Sequence, residues 1–202
     1  MISCGDRRYA GRMCLFAFLS ALFLFFASTA TARTIRVPGN HDSIQAALDA
    51  ANRGDTVRVA EGTYFEKVEL KTGVTLQGGW NTDFSKRDVS AYVTTLDGAK
   101  TEGWVVSGAD GATIDGFTIL HATRVDLGDA TVGAGIHCDS TSPTIINNTL
   151  RENAPAGIYC NNNAAVIKNN VITESQEAGI YLEDGCKVTI AGNVIHDNKM
   201  AG

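Results

Sequence analysis

A tripeptide recurs at a fixed distance along the chain. Ala134-Gly135-Ile136, Ala156-Gly157-Ile158 and Ala178-Gly179-Ile180 start 22 residues apart, and Ala201-Gly202 restarts the pattern 23 residues later. A second column keeps the same count: Ile145 to Leu150, Ile167 to Ile172 and Ile190 to Ile195 align, which makes Asn148, Asn170 and Asn193 equivalent. One unit of this size cannot bury its own apolar face, so it must stack on copies of itself. About 22 residues hold three short strands and their turns, the size of one coil of a parallel β-helix. Helical repeats need about 33 or 34 residues and helix-forming composition, and the Asn-rich, β-branched segments here disfavour helix.

The asparagine column has a physical use in such a stack. An inward Asn at a bend can donate and accept between successive coils, satisfying turn backbone that would otherwise be buried unpaired. Asn147-Asn148-Thr149 also matches a glycosylation sequon, but its equivalents lack the Thr. Upstream, Asp42-Ser43 followed by Ile44, Ala47, Leu48 and Ala51 gives an N-cap and an apolar stripe at helical spacing, with Gly54 placed as a C-terminal cap. One amphipathic helix is expected over about 43–53, laid across the open end of the solenoid. Short strands follow at 56–60, 68–70, 74–77, 93–96 and 105–107. Gly78-Gly79-Trp80 reads as a turn, and Trp80 and Trp104 read as packing residues.

Residues 1–32 stand apart from this organisation. Arg7, Arg8 and Arg12 precede the apolar run 13–27, and small residues end in Ala30-Thr31-Ala32, the pattern of a secretory signal peptide. The 33–202 domain would then be secreted, periplasmic or displayed at the cell surface. Removing the leader's three Arg and its single acidic residue, Asp6, shifts the net charge from −5 to −7. That balance argues against nucleic acid and anionic membrane as partners. No later run is long and apolar enough to span a membrane, and a monomer is expected. Cys138 and Cys160 are repeat-equivalent, so stacking would put their backbones about 4.8 Å apart. A disulfide fits that distance, but parallel side-chain directions fit its torsion poorly. Stacked free thiols are expected, with Leu182 continuing the column. Met200-Ala201-Gly202 opens another coil without a cap, so further coils are expected beyond it.

SIQAALDAANRGDTVRVAEGTYFEKVELKTGVTLQGG, residues 43–79, resembles the N-terminal capping region of secreted right-handed parallel β-helix proteins of the pectate-lyase-like superfamily, pectin methylesterases among them. The later AGI and NNxI repeats resemble that superfamily's coils, and the likeness covers about residues 34–202. The resemblance implies an all-β, right-handed parallel β-helix with an N-terminal capping helix. It implies no single activity, because the superfamily hosts lyases, esterases, hydrolases, epimerases, adhesins and NosD-like periplasmic proteins. The DFIFG-type and LGRPW-type stretches of pectin methylesterases are absent from this chain. No catalytic residue can be carried over.

The repeat does predict which side chains share an outer face. Alternation turns Ile136, Ile158 and Ile180 inward with Cys138, Cys160 and Leu182, leaving His137, Tyr159 and Tyr181 stacked outside. Asp139, Asn161 and Glu183 follow at the edge of that ladder, suited to sugar hydroxyls. The spacing from Ile114 to Ile145 is 31 residues, nine more than a coil. The excess falls in 121–133, a loop carrying His121, Arg124, Asp126 and Asp129, just before the first ladder strand. A third column, Glu152, Glu174 and Asp197, stacks three carboxylates, which either splay into water or gather a cation such as Ca²⁺. The histidines show no metal-ligand spacing. Three functions fit: a polysaccharide-binding or polysaccharide-processing β-helix, an adhesin-like scaffold, and a NosD-like periplasmic accessory protein.

Overall fold

The computed structural model describes residues 31–99, 102–126 and 131–200. The expected leader, apart from its last two residues, falls outside that set, as do Asp129 and Ala201-Gly202. Among the described residues the chain winds as a right-handed parallel β-helix, each coil adding one strand to each of three parallel sheets of seven, six and five strands. In one coil these are Ala134–Asp139, Thr144–Ile146 and Thr149–Arg151, and in the next Ala156–Asn161, Val166–Lys168 and Val171–Thr173. They pair without slip: Ile136 on Ile158, Ile145 on Ile167, Leu150 on Ile172. The 22-residue period thus returns each side chain over its equivalent. Ile136, Ile158, Ile145, Ile167, Leu150 and Ile172 are all fully buried, and each such side chain contributes about 1.5–3 kcal/mol.

The turns explain the Asn-Asn pattern. Gly116, Asn147, Asn169 and Gly192 take φ of +80°, +55°, +54° and +66°, a region that Gly and Asn reach most cheaply. The residue after each turns inward. Asn148 Oδ1 accepts from the Phe117 amide at 2.9 Å, Asn170 Oδ1 from Asn148 at 3.0 Å, and Asn193 Oδ1 from Asn170 at 2.9 Å. Their Nδ2 groups donate to the carbonyls of Ile114, Ile145 and Ile167. Phe117, fully buried, starts the column with an apolar ring.

A second ladder stands at the next corner and is interrupted. Asn153 Oδ1 accepts from Ala122 N and its Nδ2 donates to Ile119 O, and Asn198 does the same for Ser175 N and Ile172 O. Between them sits Ser175, whose buried hydroxyl finds no partner. Asparagine there would reach Asn153 N and Leu150 O by repeat equivalence. Ser175→Asn is therefore expected to raise stability by about 1 kcal/mol, read as an upward shift in the urea midpoint. An unchanged or lower midpoint would mean that the corner has no room for the longer side chain.

The capping helix is shorter than the sequence suggests. It spans Ile44–Ala50, with Ser43 Oγ accepting from Ala46 N and Ile44, Ala47 and Leu48 buried. Its C-cap is Ala51, not Gly54; Gly54, at φ +92°, instead bonds Gly73 O and joins the neighbouring coil. Gly78-Gly79-Trp80 is not a turn but the end of strand Thr75–Trp80, beside a register shift against Arg58 and Ala60. The chain then leaves the coil for an excursion over 81–93 that the sequence spacing does not announce. At the other end Leu182, Ile190 and Val194 are 46%, 45% and 55% exposed, because no later strand of the described residues covers them.

Cys138 and Cys160 are paired in register, fully buried and unoxidised; Cys186 is half-buried, its Sγ donating to Cys160 O. Hydrogen bonding to Cys160 and burial together hold the Cys138 thiol well above its ordinary range. Native alkylation followed by mass mapping is expected to label Cys186 at least about 100-fold faster than Cys138 or Cys160. Equal labelling would show that the coils open on the timescale of the reaction.

Candidate functional site

The outer face of the five-stranded sheet carries a continuous stack. His137 and Tyr159 rings lie 4.8 Å apart at 2°, Tyr159 and Tyr181 5.9 Å apart at 6°. The structure extends this by Trp104, expected from the sequence to be a packing residue, and by Lys67, to which no motif points. Trp104 stacks on His137 at 4.8 Å and 20°, and Lys67 Nζ stands 3.8 Å over the Trp104 ring. Trp104 precedes strand Val106–Ser107, and Val106 pairs with Ile136. That coil lies before the 121–133 insertion, so the 22-residue count does not reach it and no column equivalence is visible in the sequence.

The stack changes what the face offers. Each ring covers its neighbour, so the faces are spent on one another and the edges point to solvent. Such parallel, offset contacts add about 0.5–1.5 kcal/mol beyond burial. What remains outward is a row of hydroxyls and imidazole nitrogen. Tyr159 OH donates to Glu183 Oε2 at 2.6 Å. Burial, then the bond to Glu183, pushes the Tyr159 phenol up, so it stays a donor. Burial also lowers the His137 pKa, which favours neutral imidazole in the middle of the stack.

One rim follows the strand ends. Asn161 Nδ2 and Ser140 Oγ both donate to Asp139 Oδ1 at 3.2 Å. Asp139, Asn161 and Glu183 thus form a carboxylate–amide–carboxylate row at the spacing of the coils. At the strand starts lies the expected loop, in which Val125–Asp126 and Thr131–Val132 pair antiparallel. Arg124 there is engaged by both Asp126 and Glu177, Glu177 standing just before Ala178 at the start of the third ladder coil.

The carboxylate column sits at the preceding corner and has a backbone reason. His121, Glu152, Glu174 and Asp197 share φ of +62°, +55°, +55° and +54°, so their side chains radiate from one left-handed turn. Polar partners meet part of it: Glu152 pairs with Arg151 and lies 3.4 Å from His121 Nε2, and Asp197 lies 2.8 Å from His196 Nδ1. His121 Nδ1 also contacts Asp97 Oδ1 at 2.8 Å. Among the described residues no group of three His, Cys, Asp or Glu side chains is placed to hold a metal ion. No helix of those residues is long and apolar enough to cross a membrane.

With three stacked parallel sheets and inward asparagines at the corner, the chain belongs to the right-handed beta helix region family, which residues 59–202 match. No curated protein matches it in sequence. Among solved structures it is similar to the alginate lyase from Paenibacillus sp. str. FPU-7, with a TM-score of 0.60 and 18% identity over 81% of this chain and 58% of that one. The chain therefore spans little more than half of that lyase, and the likeness is one of fold.

Proposed function

We propose that the protein binds or processes polysaccharide along the outer face of the five-stranded sheet. The observation that carries this reading is the edge-on column of His137, Tyr159 and Tyr181 beside Asp139, Asn161 and Glu183. It repeats hydroxyl, imidazole, carboxylate and amide groups once per coil, about 4.8 Å apart, which suits a linear glycan lying along the axis. The similarity in fold to a polysaccharide lyase supports the same class of ligand. Arg124 and Asp126 belong to the loop that borders this face, and Ca²⁺ bridging an acidic sugar to the carboxylate rim is the cofactor use that the chemistry allows.

The test is retention and turnover of a panel of acidic and neutral polysaccharides, with and without Ca²⁺. Tyr159→Ala combined with Tyr181→Ala is expected to reduce retention by about tenfold or more. Unchanged retention would remove the ladder from the site. The adhesin-like reading draws support from one observation, that the ring faces are spent on one another. It predicts that the same double variant loses stability while no glycan binding exists to lose.

A further inference from the structure

The excursion over 81–93 builds a second concave surface, on a different corner of the coil from the ladder. It returns against the turn column and closes a groove of about 440 Å³, within the range of ligand pockets. Val89, Ser90 and Val93 line it from the excursion; Asn147, Thr149 and Asn169 line it from successive coils. It runs across three coils, from Thr118 through Thr149 to Val171, which are register partners.

The wall is fixed in place. Arg87 Nε donates to Gly78 O at 2.9 Å, and its guanidinium meets Asp115 Oδ1 at 2.9 Å and Asp115 O at 3.2 Å. Asp88 N bonds Gly79 O at 2.8 Å, and Tyr92 N bonds Asp88 O at 2.9 Å. The approach is close enough to demand glycine beneath it. A Cβ at Gly116 would stand 2.5 Å from Val89 Cγ1 and 2.7 Å from Arg87 Nη2, and one at Gly79 would stand 2.8 Å from Val89 Cγ1. The groove is therefore formed before any ligand arrives, which lowers the cost of binding.

Its chemistry is selective in one respect. No lining side chain is ionisable, in a chain with 39 acidic and basic residues (17 Lys and Arg, 22 Asp and Glu). The nearest guanidinium of the wall, Arg87, is occupied by Asp115. A charged ligand would lose hydration here without gaining a counter-charge. What the groove offers is an aliphatic wall, Val89 and Val93 being 38% and 46% exposed, opposite exposed amides and half-buried hydroxyls. Asn147 commits one N–H to Asp115 at 2.9 Å. A pyranose ring has the complementary division, C–H faces and a hydroxyl edge, and the coil rise of about 4.8 Å approximates the length of one sugar unit.

We propose that this groove is a binding site for a neutral oligosaccharide of two or three units. It does not depend on the ladder being a glycan site. Calorimetric titration of the purified protein with cellotetraose, mannotetraose and a tetrauronate tests it. At least one neutral tetrasaccharide is expected to bind with a Kd of about 0.1–1 mM, the tetrauronate at least about tenfold more weakly. Thr149→Arg, which lays a long side chain over the floor, is expected to weaken neutral binding about tenfold or more. Val93→Arg, on the exposed wall, does the same should the first variant not fold. Absence of binding by both neutral sugars at about ten times the upper Kd, an equal affinity for the tetrauronate that the same arginine variants weaken, or neutral binding that survives both arginine variants would overturn the assignment.

Discussion

Asn170→Ala is expected to destabilise the protein by about 3–5 kcal/mol, whereas Asn169→Gly, one residue away, stays within about 0.5 kcal/mol of the parent. The two side chains are adjacent in sequence and opposite in environment. Asn170 is 1% exposed; its Oδ1 receives the Asn148 amide and side chain at 3.0 and 3.2 Å, and its Nδ2 reaches Ile145 O and Asn193 Oδ1. Alanine would leave a buried N–H and a buried carbonyl without partners, and each such orphan costs about 1–3 kcal/mol. Asn169 is exposed and serves its turn through φ +54°, which glycine adopts without strain. Urea unfolding of both variants measures the contrast. The same loss at both positions would mean that the turn conformation, not the inward ladder, stabilises the corner. Repeat proteins can lose coils in stages, so the slope with denaturant must be compared as well as the midpoint.

Gly157→Ala should cost about 3 kcal/mol or more, and Gly179→Ala only about 1 kcal/mol. The glycine of the AGI repeat is not there for its backbone freedom, since its φ is not in the left-handed region. It is there because the next coil comes too close. A Cβ on Gly157 would stand 2.7 Å from Gly179 O and 2.6 Å from Ile172 Cγ2, a main-chain atom and a fully buried side chain, neither of which can yield. Gly135 meets Gly157 O at 2.7 Å in the same way. At Gly179 the nearest atoms are Ile195 Cγ2 at 2.6 Å and Asn198 Nδ2 at 2.9 Å, side-chain atoms in the last of the described coils, where Ile195 is 38% exposed and free to turn away. Thermal midpoints of the two variants decide the matter. Equal losses would show that close approach is not what demands glycine.

Much of the fold was legible because a solenoid writes its tertiary contacts into its own period. Ile136 over Ile158 and Tyr159 over Tyr181 follow from counting 22 residues, since the equivalent residue in sequence is the neighbour in space. Where the count is interrupted, legibility stops. Trp104 and Lys67 join the stack from before the insertion, so no spacing pointed to them. The 81–93 excursion and its groove leave no periodic signal for the same reason, and Gly78-Gly79-Trp80 reads as a turn because glycines that permit close approach look like glycines that permit bending. The helix ended at Ala50 and not near Gly54 because Gly54 pairs with Gly73 across the coil, a contact that local capping rules do not include.

The candidate site divides along the same line. The sequence determined the parallel β-helix, the three columns of aromatic, asparagine and carboxylate side chains, and the outward direction of His137, Tyr159 and Tyr181, because strand alternation and a constant period leave no other arrangement. Only the tertiary structure decided how those rings present themselves, since ring orientation depends on the distance to the neighbouring coil: at 4.8 Å the rings close on one another and turn their edges outward. It likewise decided which polar groups meet, His121 between Asp97 and Glu152 and Arg124 between Asp126 and Glu177. Those pairs join insertion to coil, and an insertion has no periodic partner from which its position can be counted.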